Sequence, residues 1–165
     1  MEITIRNALY EDAENLTDCL ISCWQVAYKG IIPDDFLDNM IIERNSRVER
    51  WKNDISNPGD CEHYCVISGD KIIGWLTIHK VDGEIWAIYL IEEFCGQGYG
   101  KEVFDYAINR LKYLGHKQIS LWVFKDNMRA RRFYEKNGFK FNGENREMTY
   151  GKPLVQLKYA FNFAG

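Results

Sequence analysis

No stretch of this chain approaches the run of roughly 18 apolar residues that a membrane-spanning helix needs. The opening MEITIRNALYEDAE lacks the charged-then-apolar pattern of a secretion signal, so a cytoplasmic protein is the expectation. A surplus of basic residues is missing too: 21 Lys and Arg against 24 Asp and Glu leave a net charge of −3. The summed field gives no reason to expect nucleic acid or an anionic membrane as partner, and suits a cationic small molecule slightly better. An even cysteine set is also lacking. Five cysteines in a chain without a secretion signal argue for reduced thiols, not a disulfide framework. CEHYC, residues 61 to 65, places Cys61, His63 and Cys65 at alternate positions, but a fourth ligand with suitable spacing is absent, so no metal is expected. Low-complexity tracts, repeats and plausible linkers are likewise missing, and one domain over residues 1–165 follows.

What is present is the composition of a soluble globular protein: 46% apolar, 27% charged and 15% aromatic. The aromatic share suggests a well-filled core or an aromatic-lined pocket. Ile3 and Ile5 alternate with polar neighbours as in a half-buried strand. From about Asp12, Ala13, Leu16, Leu20, Cys23, Trp24 and Ala27 recur at three and four residues until Gly30, a helical pattern. Pro33 opens a short second helix through Phe36, Leu37 and Met40, with a more polar helical stretch running to about Trp51. SNPGD (56–60) reads as loop.

Three strand-like runs follow, EHYCVIS, KIIGWLTIHKV and EIWAIYLI, separated by the turn signals Gly69-Asp70 and Asp82-Gly83. KEVFDYAINRLKYL has helical spacing and Gly115 caps it. QISLWVF is a fifth strand, Asn127 an N-cap for a helix ending at Asn137-Gly138, and FKF and PLVQLKYAF two late strands. The predicted order β-α-α-β-β-β-α-β-α-β-β describes a mixed α/β sheet with helices on both faces.

CGQGYG (95–100), between a strand and a helix, is the stretch most suggestive of a ligand. A dinucleotide fingerprint needs a third glycine where Lys101 stands. A phosphate-binding G-x-x-x-x-G-K-(S/T) loop needs glycine at Cys95 and a hydroxyl at Glu102. What remains is either a tight turn or a loop whose backbone amides approach an anion beside a helix N-terminus.

CGQGYGKEVFDYAINRL with LWVFKDNMRARRFYEKNGF resembles the GNAT superfamily of N-acetyltransferases. That family's cofactor loop reads (Q/R)-x-x-G-x-(G/A), and its next strand and helix commonly carry N-x-x-A-x-x-F-Y-x-x-x-G-F. Gly98 and Gly100 match the loop; Asn127, Ala130, Phe133, Tyr134, Gly138 and Phe139 match every fixed position of the second motif. The likeness covers about residues 84–142 and extends to IRNALYEDAENL and IIGWLTI. WQVAYKGIIPDDFLD is similar to a segment of bacterial members whose substrates are mostly unassigned. Cys95 departs from the pattern, replacing Gln or Arg, a change that should weaken pyrophosphate binding without abolishing it.

The resemblance implies a three-layer α/β/α fold with a mixed, mostly antiparallel central sheet, acetyl-CoA as cofactor, and acetyl transfer to a primary amine of a small molecule or peptide in a ternary complex. It implies CoA contacts from Ile88, Tyr89, Leu90, Cys95, Gly96, Gln97, Gly98, Tyr99, Gly100, Lys101, Asn127, Ala130, Phe133 and Tyr134. The Leu90 N–H would be an oxyanion donor, Tyr134 the acid that protonates the leaving thiolate, and Glu84 the base. Trp24, Tyr28 and Phe36 are candidates for the acceptor pocket, with Asp34 and Asp35 as carboxylates for a cationic amine. Of Arg129, Arg131 and Arg132, one or more could meet CoA phosphates, at least two being expected on a solvated face. Dimers are common in such a family, so a homodimer is compatible. A CoA-binding module without transfer is the alternative, and an unrelated nucleotide binder a more distant one.

Overall fold

The computed structural model describes residues 2–164. Strand β1 (Thr4–Asn7) leads into helix α1 (Ala13–Ala27), followed by α2 (Asp34–Ile42) and α3 (Arg44–Ser56). Strands β2 (Cys61–Ser68), β3 (Lys71–His79) and β4 (Glu84–Leu90) come next. Then follow α4 (Tyr99–Tyr113), β5 (Gln118–Phe124), α5 (Met128–Lys136), β6 (Lys140–Thr149) and β7 (Pro153–Asn162).

Two departures from the expected order have physical reasons. The polar stretch after Met40 is a helix of its own, broken from α2 at Glu43. Leu37 and Met40 bury their side chains in one apolar cluster while Val48 and Trp51 bury theirs in another, so one straight axis could not serve both. The second concerns β6, which runs well past FKF to Thr149. It is an edge strand paired only with β7, and its exposed NGENRE segment carries none of the apolar alternation that marks a buried strand.

The seven strands form one sheet in the order β1-β2-β3-β4-β5-β7-β6. Every neighbouring pair is antiparallel except β4 with β5. Cross-strand partners share a face, which sorts the helices. Trp75 and Tyr89 stack on the face where α3 places Trp51 and α1 places Tyr28. Tyr64 meets Tyr106 of α4 on the opposite face, so the layers are helix, sheet, helix. The main core lies on both faces of the sheet's middle. A second cluster of Tyr28, Ile32, Leu37, Met40, Phe124 and Leu154 closes the end beneath α2. No helix among the described residues is long and apolar enough to cross a membrane.

Inside β2 the CEHYC residues have structural surroundings. His63 Nδ1 shares a hydrogen bond with Thr77 Oγ1 at 3.0 Å, its ring edges onto Trp51, and the Cys65 thiol faces Asp12.

Candidate active site

The site is made by a failure of pairing. β4 and β5 are in register only at Glu84 with Ser120 and Ile85 with Leu121. Beyond Ile85 the strands part. The register between β3 and β4 shifts there, leaving Trp86 as an extra residue in a bulge, which bends a strand and alters its twist. Ile91 N–H bonds Ile73 O at 2.8 Å, and antiparallel ladders alternate. The backbone groups of Ile88 and Leu90 therefore turn away from β3 toward the gap. Gly74 makes the close approach of β3 to β4 feasible: a Cβ there would lie 2.2 Å from the Tyr89 carbonyl oxygen.

The parted strands open a cleft of about 1390 Å³. At its head lies the glycine loop. Gly98 caps α4 with φ +93°, and Gly96 has φ +74°, values that side chains with a Cβ rarely adopt. A Cβ on either would project into open space, so the loop presents bare backbone to the cleft. The first-turn amides of a helix have no intrahelical partner and carry the positive end of its dipole. Here the Lys101 and Glu102 amides already return to the Gly98 carbonyl, leaving the turn before them to face the opening. Bare backbone at a helix N-terminus fits a pyrophosphate.

Nearby cations are held by carboxylates. Lys101 Nζ pairs with Asp105 at 2.5 Å, and Arg129 pairs with Glu92 at 2.9 Å. Asn127 does cap α5, its Oδ1 accepting from the Ala130 N–H at 3.2 Å. Cys95 directs its thiol back to the Leu90 and Ile91 carbonyls at 3.6 Å. Burial raises its pKa, with Arg129 opposing.

Deeper in, Phe133 and Tyr134 both line the cleft and both pack against Phe104. Burial pushes the Tyr134 phenol above its ordinary pKa, with Tyr28 adding to the shift. Tyr28 and Tyr89 share a short hydrogen bond between their hydroxyls. Burial pushes Tyr28 up to about 12 despite that bond, and Tyr89 also lies well above its ordinary value. All three phenols are protonated at neutral pH.

Of the residues singled out in the sequence, Trp24, Tyr28, Glu84, Ile88, Tyr89, Leu90, Cys95, Gly96, Gly98, Gly100, Lys101, Asn127, Arg129, Ala130, Phe133 and Tyr134 line this one cleft. Others lie off its wall. Gln97 donates to the Glu93 carbonyl at 2.6 Å, and Tyr99 leans on Phe94. Phe36 packs against Tyr150. Arg131 donates to the Tyr159 hydroxyl and the Lys125 carbonyl. Asp34, Asp35 and Arg132 are also outside the lining. Trp86, Trp122, Phe124, Arg146, Met148, Tyr150 and Gln156 line the cleft and were not foreseen. The EIWAIYLI run hid the bulge that turns Trp86 outward, and no local pattern in the sequence brings the unforeseen β6 and β7 residues to this cleft.

A profile of the Acetyltransferase (GNAT) family matches residues 20–139. The chain belongs to that family. Among GNAT relatives, a spermidine N(1)-acetyltransferase of Thermoplasma acidophilum is 28% identical over 163 residues, covering 96% of this chain and 98% of its own. A spermine/spermidine N(1)-acetyltransferase of Bacillus subtilis is 36% identical over 113 residues, 60% of this chain and 74% of that protein. The crystal structure of the PaiA N-acetyltransferase from Thermoplasma acidophilum in complex with coenzyme A superimposes with a TM-score of 0.81 at 25% identity, covering 99% of this chain and 100% of that one. The fold is thus the mixed GNAT fold with a mostly antiparallel sheet, and its general chemistry is that of a transferase that uses acetyl-CoA.

Proposed function

We propose that this protein transfers acetyl from acetyl-CoA to a primary amine by direct attack in a ternary complex. The observation that carries the reading is the single cleft that joins the bare glycine loop, the freed backbone of β4, the Tyr134 phenol and the Glu84 carboxylate. The amides of residues 96–100 hold the pyrophosphate, and Ile88 and Leu90 pair with the pantetheine arm. The Leu90 N–H donates to the thioester oxygen as negative charge builds there.

A primary amine of pKa about 10.4 is protonated at pH 7, a deficit of about 3.4 units or roughly 4.6 kcal/mol. Glu84 takes that proton, and the freed nitrogen lone pair attacks the carbonyl carbon. The C–S bond then breaks, the nitrogen gives up its second proton to solvent, and Tyr134 gives its proton to the departing sulfur. A free thiol has a pKa of about 8.5, below that of a phenol raised by burial, so this transfer runs uphill and is drawn forward when a proton from solvent restores Tyr134. The substrates named for the polyamine relatives are themselves primary amines, which supports an amine acceptor.

The test is acetyl-CoA turnover followed by thiol release across polyamines, aminoglycosides, amino acids and peptide N-termini, run beside CoA-induced thermal stabilisation. Thiol release with at least one amine class is expected. Stabilisation by CoA with no turnover on any acceptor would instead leave a CoA-binding module, and stabilisation by ATP or NAD alone would overturn the reading.

A further inference from the structure

We infer that the acceptor is an amine that also bears a carboxylate, a short peptide-like zwitterion, and that Arg146 receives that carboxylate. The inference rests on the transferase reading and deepens it.

The sheet face that carries Tyr28 and Tyr89 continues across β5, β7 and β6. Phe124 is in register with Gln156, which is in register with Arg146, and Trp122 with Lys158, so these side chains share that face. Phe124 is covered by Tyr28 and Tyr150. Trp122 and Arg146 line the cleft, as does Trp86, which is 54% exposed and stacked on His79.

Arg146 is fixed there without a counter-charge. Its Cζ lies 4.2 Å from the Trp122 ring centroid, and its Nε donates to Gln156 Oε1 at 2.8 Å. Gln156 is buried, so stacking and one anchored bond set the plane of the guanidinium. Arg6, Arg44, Arg110 and Arg129 each lie within 3 Å of a carboxylate oxygen. Arg146 has no carboxylate within 4.0 Å among the described residues. Its two terminal NH2 groups form the fork that binds a carboxylate bidentately. Lys158 adds a second cation 5.5 Å from the same ring, loosely matched to Glu144 at 3.7 Å.

Glu84 stands across the cleft on β4. A carboxylate on one side and a guanidinium on the other complement a molecule with an ammonium at one end and a carboxylate at the other. Arg146 folds back over Trp122 of β5, two residues along from Ser120, the register partner of Glu84, so the two charges are offset by one to two strand spacings across and two residues along the sheet, on the order of 8–12 Å. A dipeptide spans ~7 Å. A polyamine, cationic along its length, would set its far end against Arg146 and Lys158.

The experiment compares alanyl-leucine, alanyl-leucine amide and spermidine as acceptors for the wild-type chain and for Arg146→Gln. The expected result is a kcat/KM for the dipeptide at least tenfold above its amide and above spermidine. In Arg146→Gln the acid-to-amide ratio should fall at least tenfold, mainly through KM, and Arg146→Lys should recover part of it. Unchanged CoA-induced thermal stabilisation in both variants certifies the fold. Equal kcat/KM for acid and amide, preference for spermidine, or an unaltered ratio in Arg146→Gln overturns the inference while leaving the transferase reading intact. If no acceptor is turned over, that reading fails, and calorimetric titration of the acid and amide into the CoA-saturated protein decides the inference: tighter binding of the acid supports it, and equal binding ends it.

Discussion

The two walls of the cleft are built from different materials. The wall made by the end of β4, the glycine loop and the start of α5 presents backbone amides, glycines and one capped helix. The wall made by the end of α1, the end of β5 and the turn between β6 and β7 presents rings: Trp24, Tyr28, Phe124 and Tyr150 edge onto one another in a chain of T-shaped contacts. Backbone recognises a ligand that every member of a family shares, because amides and φ values survive most changes of side chain. Side-chain rings recognise whatever is particular, and can be re-cut by substitution without disturbing the first wall. The difference teaches that a cofactor and its partner substrate can be specified almost independently within one groove.

That division can be broken experimentally, beginning with the change expected to matter most. Tyr134→Phe removes the proton donor where the walls meet, and kcat should fall ~10²-fold while CoA affinity, measured by calorimetry, stays within threefold; an unchanged kcat would strip Tyr134 of its role. Next in size is Asp12→Asn, beneath the start of the ring-bearing helix. Asp12 accepts two hydrogen bonds from Arg6, at 2.6 and 2.9 Å, and one from the Leu9 amide at 2.7 Å. Losing the charge should cost about 2 kcal/mol in urea unfolding.

The same carboxylate makes a statement about pH. The Arg6 guanidinium, followed by the Leu9 amide, holds Asp12 below its ordinary pKa against the opposing effect of burial. A lowered pKa in the folded state contributes stability that is complete above the unfolded value of about 3.9 and drains away as pH falls through and below it. Wild-type Tm should therefore drop more steeply than that of Asp12→Asn between about pH 4 and pH 2; parallel curves would show the pair to be inert.

Gly98→Val addresses the backbone wall alone. Holding a branched residue at φ +93° costs about 1–2 kcal/mol, so CoA should bind roughly tenfold more weakly. The acceptor KM at saturating acetyl-CoA should hardly move. If both constants shift together, the two walls are coupled. The smallest effect belongs to Trp24→Phe. The Trp24 indole N–H is buried with no hydrogen-bond partner among the described residues, so removing it offsets part of the lost packing, and stability should change by less than about 1 kcal/mol. A loss above about 2 kcal/mol would mean that the N–H is satisfied after all.

Legibility in the sequence follows the same division. The backbone wall is written in one contiguous stretch, so glycine spacing and the Asn127 cap could be read before any fold was known. The ring wall is assembled from segments over a hundred residues apart, and no local pattern announces that Trp24 and Tyr150 meet. Cys95 illustrates a different limit. Read as a missing Gln or Arg it looks like a defect, yet its thiol is turned inward onto the carbonyls that end β4, a use no spacing reveals. Edge strand β6 escaped because an exposed ladder can be formed by polar residues whose only shared property is backbone geometry.

The two rungs that join β4 to β5 have a mechanical consequence. Four strands on one side and three on the other meet along a seam two residues long, with the rest of the ladder left unstitched. Such a sheet behaves as two plates on a short hinge, and whatever threads the gap and bonds to both edges supplies the absent rungs. Binding would then register as stiffening across the whole sheet, from β1 to β6, far from any atom the ligand touches.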